Sequence, residues 1–154
     1  MLICWFGMAV LIPEDYVPDL QLRMNLYRRL ADLDQPEEID DFAAELIDRF
    51  GELPEEVDHL IKIVYVKGLC RRANVEKVDA GPKGVSIAFR NNEFANPGGL
   101  IRYIGEQGSM AKVRPDQRIV LIRDWKTGQD RLQGVATILT RLERLAAEGE
   151  QEAA

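Results

Sequence analysis

Apolar residues recur at helical spacing through the middle of the first half of the chain. Taking 100° per residue, Ile39, Phe42, Ala43, Leu46, Ile47 and Phe50 share one side, while Asp41, Glu45 and Asp48 share the other. Pro36 starts this helix and Gly51 follows its last periodic residue, where a left-handed C-cap costs glycine nothing. Pro54 then opens a second helix in its first turn, with Glu55 and Glu56 at the positive end of its dipole. The stretch from Asp40 to Ile61 therefore predicts a helical hairpin.

Upstream, Pro13 to Pro18 is a proline-bracketed extended segment whose Tyr16 and Val17 are expected to pin it to the body of the domain. Asp19 caps the helix DLQLRMNLYRRLADL. Leu20, Met24, Tyr27 and Ala31 form one stripe on it, and Leu22, Leu26 and Leu33 form another. Such a helix is buried on both sides, or its second side meets a partner. The helix from Pro54 to about Ala73 is also apolar on two sides, which places it at the centre of the helical layer, and Asn74 ends it.

Period 2 then takes over. Val85, Ile87 and Phe89 alternate with Ser86, Ala88 and Arg90, and VEKVD precedes them across an AGPKG turn. Asn96-Pro97 opens a short helix holding Leu100, Ile101 and Ile104, stopped by Gly108. A second hairpin joins MAKVR to RIVLIR through Pro115, Asp116 and Gln117. The last helix runs from about Gln129 to Ala147 and buries Leu132, Val135, Leu139, Leu142 and Ala146. Strands that arrive as hairpins imply an antiparallel sheet. The expected fold is α+β: a helical hairpin and its layer packed on a small antiparallel sheet of two hairpins, with a C-terminal helix. Residues 1–12, an apolar leader, stay unassigned; residues 13–147 form the domain and 148–154 a disordered tail. The leader is read either as a strand added to the domain or as an artefact of the gene start.

At 154 residues the chain suits one domain able to bury roughly 68–70% of its unfolded surface. A net charge of -6 opposes nucleic-acid binding by the chain as a whole, since phosphate neutralisation needs clustered cations. Cys4 and Cys70 lie far apart, so a reduced, cytoplasmic protein without disulfide or zinc framework is expected. The leader is too short to span a bilayer.

Catalytic patterns are sparse. AGPKGVS has the wrong glycine spacing for a phosphate loop and reads as a β-turn. His59 is the one histidine, which leaves no histidine pair for catalysis or metal binding. Ser109 lacks a nucleophile elbow around it. Arg28 and Arg29, and Arg71 and Arg72, could make two basic patches, but Arg28 and Arg29 point different ways on a helix. The acidic face of Asp41, Glu45 and Asp48 remains, ordinarily a solvated helix side.

Three stretches change its weight. LIPEDYVPDLQLRMNLYRRL, ELIDRFGELPEEV and FANPGGLI resemble the C-terminal domain of the bacterial transcription-repair coupling factors, the Mfd translocases, from about Leu11 to Ala146. The resemblance implies the last domain of a multidomain, ATP-driven DNA translocase that displaces stalled RNA polymerase and recruits nucleotide-excision repair. In that family this domain packs on a UvrB-like N-terminal module, masks the surface that binds UvrA, and restrains the motor. The implied partner is thus the UvrB-like module, with UvrA and RNA polymerase reached indirectly; no cofactor, direct nucleic-acid contact or membrane is implied. Asp41, Glu45 and Asp48 are the expected contact to that module. A stand-alone small enzyme or nucleotide-binding protein is the alternative.

Overall fold

A computed structural model describes residues 2–8 and 10–153. The chain divides into two compact units, one of Met8–Gly68 and one of Met1–Gly7 with Leu69–Ala154. The boundary between them falls inside the third helix.

In the first unit, the lead-in segment is pinned as expected. Val17 is fully buried. The Tyr16 hydroxyl donates to Gly51 O at 2.8 Å and Leu46 O at 3.2 Å, and its ring meets Phe50 at 5.8 Å. α1 (Leu20–Asp32) begins where the Asp19 carboxylate accepts from Leu22 N. α2 (Pro36–Phe50) begins where Glu38 reaches back to the Gln35 N–H. Ile12, Val17, Leu26, Leu30, Ile39, Phe42, Leu46, Val57 and Ile61 make one core. The helical hairpin therefore has an interior of its own.

Gly51 ends α2 with φ 96° and ψ -168°, its N–H bonded to Ile47 O. Its φ is positive as predicted, but ψ puts it outside the left-handed helical well, in a region essentially restricted to glycine. Gly51→Val is expected to cost about 1–3 kcal/mol by that strain alone, as urea denaturation of the two proteins will measure. Equal midpoints would show the turn relaxing around the new side chain.

Two expected stripes are core only in part. On α1, Leu26 and Leu30 are buried while Leu20 is 65% and Met24 44% exposed. On α2, Ile47 is 49% exposed, because burial centres on Ile39, Phe42 and Leu46 and turns it past the edge of the interface. α3 (Glu55–Arg72) follows Pro54, whose carbonyl takes the Val57 and Asp58 N–H groups, so Pro54 caps this helix from just outside. Every residue of α3 from Val57 to Cys70 is buried or half-buried, as its two apolar sides lead one to expect. Asn74 then adopts φ 61°, and its amide donates to Arg90 O and Glu93 O.

The second unit is built on a five-stranded sheet of order β1-β2-β3-β5-β4: β1 (Ile3–Trp5), β2 (Val75–Gly81), β3 (Gly84–Phe89), β4 (Ala111–Val113) and β5 (Ile119–Ile122). The two expected hairpins are present and antiparallel. The leader corrects the rest: β1 pairs in parallel with β2, Cys4 opposite Val78, so the sheet is mixed and the fold α+β. Arg131 holds the leader there, its guanidinium donating to Phe6 O, Trp125 O and Lys126 O.

Pro82 and Lys83 turn β2 into β3, and their carbonyls accept from Trp125 N and Arg123 N at 2.8 Å. The AGPKG stretch is therefore a structural turn. α4 (Pro97–Gln107) is capped by the Asn96 side chain at Gly99 N and stopped by Gly108, φ 58°. On it Tyr103 is buried, Leu100 and Ile104 of the expected stripe are half-buried, and Ile101 alone of that stripe is exposed, at 69%. α5 (Gly128–Ala153) packs against β2 and α4. It continues past Ala147, through residues expected to be a disordered tail. Leu145 O accepts from Asn96, and a side chain at Gly149 would lie 2.5 Å from Ala95 O, so the last turns rest closely on the loop before α4.

Candidate protein-interaction site

The acidic face sits on α2, which its caps and Gly51 fix in length and direction. Asp41 and Asp48 are exposed, two turns apart on one side. Glu45, between them, is half-buried and already engaged. Arg29 of α1 grips it with two hydrogen bonds of 2.6 and 2.8 Å, and Arg49 adds one of 3.1 Å. The Arg29 guanidinium lies 5.0 Å from the centre of the Phe42 ring, and Arg49 lies equally near Phe50. Planar, forked donors suit both the carboxylate and the ring face. Glu45 is thus a brace between α1 and α2, and the structure leaves Asp41 and Asp48 as the accessible part of the expected triad. The brace links residues sixteen positions apart, beyond the reach of helical spacing.

The Arg29 hydrogen bonds hold the Glu45 carboxyl far below its ordinary 4.5, at about 2. A carboxyl depressed by folding adds stability above its unfolded pKa and loses it as pH falls through the folded one. The contribution therefore disappears between pH 4.5 and about 2. Glu45 is partly solvated, so the brace is expected to be worth about 0.2–1 kcal/mol. Urea denaturation of the parent and Glu45→Gln should differ by that amount at neutral pH and converge near pH 2. A constant difference across this range would remove the ionic account.

The two expected basic patches separate in the same way. Arg28 bonds to Asn25, away from Arg29, and Arg72 pairs with Glu143 at 3.0 Å. His59 is buried, its Nε2 3.9 Å from Glu55. Among the described residues, no group of three or more His, Cys, Asp or Glu converges on a metal position, and no helix is long and apolar enough to cross a membrane.

Charge divides between the units. Met8–Gly68 carries fifteen acidic and six basic residues, a net of −9; the remainder carries eleven and fourteen, a net of +3. Composition averaged over the chain conceals this split.

Residues 6–100 match the TRCF domain family model. The chain belongs to the TRCF domain family. The match begins at Phe6, inside the segment left unassigned from sequence. The transcription-repair-coupling factor of Rickettsia bellii is 38% identical over 118 residues, covering 76% of this chain and 10% of that protein. That of Escherichia coli K12 is 29% identical over 139 residues, covering 90% and 12%. This TRCF domain thus spans about a tenth of the length of the curated relatives it matches. A crystal structure of the C-terminal domain of transcription-repair coupling factor shares its fold, with a TM-score of 0.78 at 20% identity over 94% of this chain and 93% of that one.

Proposed function

We propose that this TRCF domain is the C-terminal regulatory domain of an ATP-dependent DNA translocase of transcription-coupled nucleotide-excision repair. It docks through the acidic face of α2 on a basic surface of a UvrB-like N-terminal module. Docking covers the surface that UvrA needs and restrains the motor, and RNA polymerase reaches this domain only through the parent protein. The observation that carries the reading is the charge split. The −9 unit presents Asp41 and Asp48 outward on a capped helix, while Glu45 is held inward by Arg29. Carboxylates so placed favour arginines on the facing surface.

Such a contact is a latch rather than a glue. Exposed ion pairs contribute about 0.2–1 kcal/mol each and weaken with salt, so the docked state can open when the motor engages its substrates. Titrating the chain with the recombinant UvrB-like module of its relatives, by calorimetry at low and high salt, tests this. Binding that weakens steeply as salt rises is expected. No binding at low salt, or binding indifferent to salt, would overturn it. The isolated chain is expected to hydrolyse no ATP, and turnover by homogeneous protein would revive a stand-alone enzyme.

A further inference from the structure

On the +3 unit, an open apolar groove of about 250 Å³ lies between α4 and the end of the sheet. Phe89, Phe94, Leu100, Ile104 and Ile119 line it, and the exposed Ile101 and Val113 stand at its mouth. Val113 belongs to β4, last in the strand order, so one side of β4 has no neighbouring strand. The Arg114 N–H bonds to Arg118 O, which makes 114 and 118 a hydrogen-bonded pair. By the alternation of an antiparallel ladder, Val113 opposite Ile119 is then a non-bonded pair. The Val113 N–H and C=O therefore point to the open edge. Period 2 puts the Lys112 and Arg114 side chains on the sheet face opposite Val113. Both are exposed, as is Arg102, and none of the three makes an ion pair among the described residues.

We propose that β4 and this groove bind an extended segment of a partner protein that alternates acidic and apolar residues. Added as a sixth strand, it bonds to Val113, drops its apolar side chains into the groove and sets its carboxylates beside Lys112 and Arg114. A short, lysine-bearing edge strand is also how proteins discourage strand addition. A blunted edge, however, does not have an apolar groove beside it with Ile101 69% and Val113 57% exposed. The acidic stretches of this chain around Glu37, Glu55 and Glu148 are folded into α2, α3 and α5, so none of them is the occupant.

The test is fluorescence anisotropy of the full chain with a short labelled peptide alternating glutamate with valine and phenylalanine. The same peptide with lysine for glutamate, an oligothymidylate, and vesicles of anionic phospholipid are the competing probes. Binding of the glutamate peptide alone is expected, with slowed amide exchange at Val113. Val113→Pro, which removes the outward N–H together with the valine side chain at the groove mouth, and Ile101→Glu, at an exposed site, should each weaken it about tenfold or more. Both variants are first checked by melting, and Lys112→Glu with Arg114→Glu provides a variant that leaves the edge backbone intact. No binding, preference for the lysine peptide, oligothymidylate or vesicles, concentration-dependent self-association in place of peptide capture, or affinity unchanged in folded variants would each overturn the proposal.

Discussion

Gly84→Ala is expected to unfold the sheet unit at much milder conditions, while the same change at Gly81 leaves it intact. The two glycines face each other across the β2–β3 hairpin. Gly84 has φ 138°, and a side chain there would overlap the Leu121 carbonyl oxygen and lie 2.9 Å from Arg123 N. That crowding arises because Gly84 pairs with Ile122 of β5, and Leu121 O and Arg123 N flank it in the ladder. A Cβ at Gly81 meets nothing within 4 Å. Backbone strain at Gly84 costs about 1–3 kcal/mol and displacement of a packed neighbour about as much again, so the loss should total roughly 2–6 kcal/mol. Against a total stability of about 5–15 kcal/mol, that is a large fraction. At about 2–4 °C per kcal/mol, thermal melts followed by circular dichroism should separate the two variants clearly. Exchange of the β3 and β5 amides should rise in the Gly84 variant. If both variants melt with the parent, the β3–β5 pairing is not held at Gly84 in the way described.

The turn around Gly84 also marks the limit of what sequence patterns reveal. Caps and stops are local chemistry, and Asp19, Asn96-Pro97, Gly51, Asn74 and Gly108 act where their residue types predict. The hairpins are local too, since each strand pairs with its chain neighbour. The contacts that close the fold join distant residues: β1 with β2, Arg131 with Phe6, and Arg123 N with Lys83 O. No periodicity carries those. Helical stripes state which side of a helix is apolar but not how wide its interface is. Ile47, Ile101, Leu20 and Met24 are therefore exposed although the pattern includes them. The acidic face was legible as a face, because spacing alone aligns Asp41, Glu45 and Asp48. That Glu45 is already taken by Arg29 depends on α1 lying beside α2, and only the folded unit displays it.

This difference among the three acids decides how the latch should be tested. Asp41→Arg combined with Asp48→Arg is expected to leave folding unchanged and to release the UvrB-like module. Both carboxylates are exposed and neither makes an ion pair among the described residues, so their loss removes no internal support. Each reversal deletes an attraction worth about 0.2–1 kcal/mol and adds a repulsion of similar size. Together they should weaken module binding on the order of 10- to 100-fold, at 1.4 kcal/mol per tenfold. Glu45→Arg behaves differently. It sets three guanidinium groups together where one carboxylate joined two, so the first unit loses stability before any partner is considered. Calorimetry of module binding, paired with a melt of each variant, separates the two effects. In the full-length parent the Asp41/Asp48 reversal should also permit UvrA capture and ATP hydrolysis without the usual trigger. A double variant that folds normally and still binds the module with parental affinity would place the latch on another face of the domain.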